Sequence, residues 1–254
     1  MDSTSSVIRF VVIMTAGVAL TLALLSTSWK EQSLKNEAIF NKRAILGAVS
    51  DYLAEDPKTM SDQKVEDIFS SKVKQYVINS SGAKLGSEDI KTAGYKGGEA
   101  ENIDMAKEKK KPEDERIFPL FVFNSEKGKS YILSVRGNGL WDEIWGNIAL
   151  KDDLTTIVGA SFDHKGETPG LGAEIKDNPT FPSRFKGKKI FNEAGVFTSI
   201  EVKKTGGTAK NPYAVDGISG ATVTADGVEE MLERGIKYYL PYLNKLAAAK
   251  PTKG

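Results

Sequence analysis

The chain has 254 residues with a formal net charge of +1, 27% charged and 40% hydrophobic residues. This is ordinary globular composition, long enough for one sizeable domain or two small ones, and near-neutrality gives no bulk attraction to nucleic acid. Cysteine is absent and His164 is the single histidine, which excludes thiol nucleophiles, disulfides, Cys-held zinc or iron–sulfur clusters and multi-histidine metal sites. No metal site is expected, and any redox chemistry requires an organic carrier.

The run from Phe10 to Trp29 carries no charge and is flanked by Arg9 and Lys30. At 1.5 Å per residue such a run spans about 30 Å, the apolar thickness of a bilayer, and Trp29 stands where an interfacial aromatic belongs. The preferred reading is a retained single-pass anchor over residues 1–30. A cleaved signal peptide, with Ser26–Ser28 as the small-residue site, is the alternative. Both place the remainder outside the cytoplasm.

Residues 31–115 read as a helical and polar connecting region. The loose helical spacing of Leu34, Ile39, Phe40, Ile45, Leu46, Val49, Tyr52 and Leu53 predicts a helix leaving the membrane. A short helix is predicted over Lys64–Val77, and the charged run Ala106–Arg116 as a solvated loop.

From residue 116 to 254 the texture changes. Segments 117–124, 129–137, 146–164, 188–192 and 197–204 are rich in Ile, Val, Phe, Tyr and Thr and are separated by Gly, Asn, Asp and Pro. They predict strands of a twisted, mostly antiparallel sheet. After Thr224 the recurrence of Val228, Met231, Leu232, Ile236, Tyr239 and Leu240 predicts an amphipathic helix that Pro241 ends or kinks, and the tail from Ala247 is expected to fray. The fold class is α+β: one transmembrane helix, then an extracytoplasmic domain with flanking helices.

Three small-residue stretches interrupt this pattern: Arg136–Asp142 (RGNGLWD), Gly166–Ile175 (GETPGLGAEI) and Asp216–Thr224 (DGISGATVT). Each is compatible with a plain turn. Together, one with Trp141 and another with a buried-looking Leu171 between glycines, they suggest a flat ligand approached closely by backbone. The third leads from a strand into a helix, whose N-terminal amides suit a phosphate. Thr224 reads as the helix N-cap, and Thr222 as a capping or turn hydroxyl unless another molecule reaches it.

The stretch Asp216–Thr224, with Ser219, Gly220, Ala221 and Thr222 as its core, resembles the flavinylation signature of the FMN-binding domain family, and Glu167–Gly172 (ETPGLG) with the single anchor matches the family's organisation. The resemblance is greatest to the C subunits of Na+-translocating NADH:quinone reductases, and the G subunits of Rnf-type complexes share the motifs. It implies FMN carried covalently through a phosphoester to Thr222, attached by a separate flavin transferase, with Asp216 presenting the loop or serving as a turn residue. It implies a pocket from Gly139, Leu140, Trp141, Glu167, Thr168, Leu171 and Gly172. Trp141 would stack on the ring or belong to the core; Glu167 would pair with a ring N–H or a ribityl hydroxyl, or lie on the surface; His164 is taken as a loop residue.

The function implied is an electron-relaying redox subunit of a Na+-translocating NADH:ubiquinone oxidoreductase, in a bacterial inner membrane with its main domain periplasmic. Its partners would be the other subunits, and no complete activity is expected of this chain alone. No dinucleotide fingerprint lies between a strand and a helix, so NADH is not expected to bind here. Other readings are an Rnf-type G subunit and a non-redox, membrane-anchored binding or assembly module. A hydrolase using Ser219 fits poorly, because "GISGA" lacks the GxSxG elbow.

Overall fold

The computed structural model describes residues 2–204 and 206–249. It contains eight α-helices among those residues: α1 (Asp2–Gly47), α2 (Asp62–Lys72), α3 (Ser87–Thr92), α4 (Met105–Glu108), α5 (Glu174–Asp177), α6 (Thr180–Ser183), α7 (Thr222–Lys237) and α8 (Leu240–Ala249). Five strands, β1 (Val73–Asn79), β2 (Ile117–Ser125), β3 (Gly128–Asn138), β4 (Glu143–Lys151) and β5 (Ile157–His164), form an antiparallel meander in sequence order. A small parallel pair joins β6 (Glu201–Lys203) to β7 (Ala214–Asp216). The α+β class, the apolar N-terminal helix and the mostly antiparallel sheet are as expected.

Residues up to Phe40 form one unit and Asn41–Gly254 the other. The first is helical and exposed, and α1 is long and apolar enough to cross a membrane. In the second, the sheet is covered on both faces. One face carries α7, whose Val228, Met231, Leu232 and Ile236 pack with Leu120 and Val122 of β2, Leu133 and Val135 of β3, and Ile144 and Ile148 of β4. The other face packs Phe121, Phe123 and Ile132 against Val65 and Phe69 of α2, against Ile45 and Leu46 at the end of α1, and against Val49 just after it. Double coverage explains why β2 reads as a continuous apolar run rather than an alternating one. Ser161 of β5 donates to the Ala44 carbonyl at 2.7 Å, satisfying one of the terminal acceptors that a helix end leaves open.

Several expectations are corrected. The helix expected over Lys64–Val77 stops at Lys72, and Val73–Asn79 is β1, in register with β2 from Val73–Phe123 to Asn79–Ile117. Its β-branched residues gain more from pairing with an apolar strand than from another helical turn. The charged run 106–116 is not a plain solvated loop: Glu108 is buried, bonded to the Tyr95 hydroxyl, the Ile117 amide at 2.9 Å and the Lys111 ammonium at 2.7 Å. Segment 188–192 makes only isolated bridges, and 197–204 is strand only over β6, because Ser199 adopts φ 57° and breaks the extension. As expected, the chain turns before Pro241, which lies in the first turn of α8. Residues 247–249 of the tail expected to fray are helical, as the end of α8; from Lys250 on the expectation lies outside the described residues.

Candidate functional site

Three loops converge at one end of the sheet. The turn after β3 supplies Gly139, Leu140 and Trp141; the loop after β5 supplies Glu167, Thr168, Leu171 and Gly172; and Gly217–Ala221 leads into α7. Glycine lets α7 lie close on the sheet: a Cβ at Gly235 would stand 2.6 Å from Val135 Cγ1, and one at Gly137 of β3 2.6 Å from Met231 Cβ.

Glu167 ties the three loops together. It is 4% exposed; its Oε2 accepts from the Thr224 hydroxyl at 2.6 Å and its Oε1 from the Trp141 amide at 2.9 Å. Burial alone would raise this carboxyl's pKa, but the Thr224 hydroxyl and the amides of Trp141, Asp142 and Leu140 outweigh it and hold it below its ordinary value. A Cβ at Gly139 would stand 2.5 Å from Oε1, and one at Gly172 would collide with Oε2 and with the Thr224 hydroxyl. Both glycines make room for this carboxylate. His164, at the end of β5, accepts the Glu167 amide at Nδ1, 3.2 Å away, and Trp141 Nε1 donates to Thr168 Oγ1 at 3.0 Å.

Two sequence expectations change here. Thr224 is not the N-cap: α7 begins at Thr222 with Ala221 as its N-cap, and Thr224, 1% exposed, turns inward to Glu167. Leu171 is not buried but exposed, as are Leu140 and Val223, and Trp141 is 70% exposed rather than in the core. Val223 follows the partly exposed Thr222 in the first turn of α7, and the other three lie on the two loops that Glu167 joins to that turn. Gly220, at φ 79°, takes a left-handed conformation, and a Cβ there would meet Leu171 Cδ2 at 3.0 Å. Because Ala221 offers no side-chain acceptor, the first-turn amides of α7 lack the usual Ser, Thr, Asp or Asn cap. A phosphate ester on Thr222 would supply acceptor oxygens there, and an aromatic ring would find exposed apolar neighbours; the donor set fits FMN.

The Asp216 carboxylate is engaged by Thr208. Its Oδ1 accepts from the Thr208 hydroxyl at 2.7 Å and the Thr208 amide at 3.1 Å. The Thr208 hydroxyl first, then its amide, the charge on Arg184 and the Gly207 amide, hold the carboxyl below its ordinary value. Sequence reasoning missed Arg184, Lys188 and Thr208, which fix this loop. Isolated in sequence, they follow no spacing that announces a role.

A match to the FMN-binding domain family spans residues 139–237, from the first glycine of the site to the end of α7. The chain is 34% identical to the crystallised C subunit of the Na(+)-translocating NADH-quinone reductase from Parabacteroides distasonis, with a TM-score of 0.70 over 84% of this chain and 96% of that one. It is 32% identical over 177 residues to the corresponding Vibrio anguillarum protein, covering 62% of this chain and 69% of that protein. The chain belongs to the family of Na(+)-translocating NADH-quinone reductase C subunits. The family member from Neisseria meningitidis serogroup A is 38% identical over 151 residues, 55% of this chain, an alignment that spans 57% of that protein's length. Within the C-subunit family, the convergence on Glu167 gives this chain's three glycine-rich stretches a common structural reason.

Proposed function

We propose that this chain carries FMN as a phosphoester on Thr222 and relays electrons within a Na(+)-translocating NADH-quinone reductase, anchored by α1 with the compact domain on the periplasmic side of the inner membrane. Membership in the C-subunit family and the FMN-binding domain match support the flavin and the complex. The single observation that carries the attachment point is the partly exposed Thr222 in the first turn of α7, behind an alanine N-cap, next to exposed Val223 and just after Gly220, whose Cβ would meet exposed Leu171 at 3.0 Å.

When bound, FMN supplies the electron-carrying chemistry; the protein binds, orients and surrounds it. The first-turn amides of α7 would hold the phosphate at the helix's positive end. Leu171 and Leu140 offer apolar contact, and Trp141 offers an aromatic face held by its bond to Thr168. Glu167 has both oxygens engaged by this chain's own donors, so it positions the loops. A covalent link holds the carrier at high effective concentration where dissociation would lose it. A flavin transferase would install the group, and the other subunits would supply and accept electrons.

The test is in-gel flavin fluorescence after denaturation, with intact mass, on protein made in a host containing the transferase. Wild type is expected to fluoresce and to carry the mass of FMN, Thr222→Ala to be colourless and Thr224→Ala to remain labelled. A bare polypeptide mass for wild type overturns the reading.

A further inference from the structure

The segment that delivers Thr222 is held by an arginine that no motif includes. Arg184, just after α6, donates from Nη1 to the Asp216 and Gly217 carbonyls, each at 2.7 Å. One NH2 group carries two protons, so both bonds form at once. The Gly217 amide donates to the Lys203 carbonyl of β6 at 2.7 Å, and the Asp216 carboxylate is held by Thr208. Lys188 in turn donates to the Thr208 and Asn211 carbonyls at 2.9 and 2.7 Å. From Gly217 the chain makes one tight turn, closed by the Ala221 amide on the Ile218 carbonyl at 3.1 Å, and then enters α7. Fixing the start of so short a turn fixes the hydroxyl at its end.

We propose that Arg184 is a positioning residue for flavin attachment: its guanidinium clamps two consecutive carbonyls and so sets the turn that presents the Thr222 hydroxyl. The inference rests on Thr222 being the acceptor. In the step concerned, Thr222 Oγ forms a bond to the phosphorus of the FMN half of FAD and the phosphoanhydride P–O bond breaks. AMP leaves with the electron pair, and the hydroxyl proton passes to a base of the transferase; nothing is oxidised or reduced. Phosphoryl transfer depends on in-line placement of the attacking oxygen, so a displaced turn costs rate rather than affinity.

The experiment is labelling of the full-length apoprotein in detergent by purified transferase with FAD and Mg2+, together with its melting temperature. Arg184→Gln is expected to lower kcat about 10- to 100-fold, with KM for the chain and the melting temperature nearly unchanged. Arg184→Lys, whose ammonium can donate to both carbonyls from a different reach, is expected to fall between Arg184→Gln and wild type. Arg184→Gln labelled at the wild-type rate overturns the proposal, as does a rate loss that appears only in KM or only in proportion to unfolding. Should Arg184→Gln not fold, a folded Arg184→Lys slower than wild type supports the proposal and one equal to wild type overturns it. Wild type that takes no flavin on Thr222 sinks the acceptor assignment as well, which distinguishes the two failures.

Discussion

The Glu167 carboxylate is buried and ionised at once because donors from the turn after β3 and from the first turn of α7 converge on it. Its folded pKa lies below the ordinary value of 4.5. It therefore stabilises the fold fully above that pH, and the contribution is lost as pH falls through the folded value. The acid limb of a stability curve is expected to be shallower in Glu167→Gln than in wild type below about pH 4.5, measured by urea unfolding at stepped pH; identical limbs would contradict the assignment. At pH 7, Thr224→Ala removes one donor from a buried charge and is expected to cost about 1–3 kcal/mol. In the sequence, Thr224 has the look of a cap, because capping hydroxyls and inward-facing hydroxyls share residue type and position near a helix start. Only the packing of Gly139 and Gly172 around Glu167 separates the two.

At the scale of elements, α7 does two jobs. Its apolar face builds the core with β2, β3 and β4, and its first turn carries the Thr222 hydroxyl proposed above as the acceptor. Close seating on the sheet links them, through Gly227 against the Asn138 carbonyl and Gly235 against Val135. Gly235→Leu is expected to destabilise the domain by about 1–3 kcal/mol by overpacking, read from chemical denaturation, and to reduce flavin incorporation by lifting α7; unchanged stability would refute the seating. The helical period of α7 was legible in the sequence, as were β2 to β5, because each repeats an apolar pattern over its own length. β1 was not, because its seven residues follow a helix without a breaker and become a strand only by pairing with β2.

At the scale of the whole molecule, the compact unit starts at Asn41, inside α1, and takes its first core residues from the end of that helix and the turn just after it. Ile45, Leu46, Ala48 and Val49 are all buried against the far face of the sheet. A fragment starting at Asn41 is expected to fold, remain in the soluble fraction and melt close to the full chain's domain. A fragment starting at Ser50 loses those side chains, each large one contributing about 1.5–3 kcal/mol, and is expected to be unfolded or strongly destabilised by circular dichroism. Equal melting of the two fragments would show that the end of α1 contributes nothing to the core.

By itself the sequence determined the α+β class, the apolar N-terminal helix, the apolar strand segments and the three glycine-rich stretches, because composition, periodicity and turn chemistry are local properties. The tertiary structure decided which threonine is buried on Glu167 and which is left partly exposed. It also decided that Glu167 serves its own loops, and that Arg184 and Thr208 hold the segment leading to Thr222. Those are contacts between residues distant along the chain, and a partner brought near only by folding leaves no pattern in the order of residues.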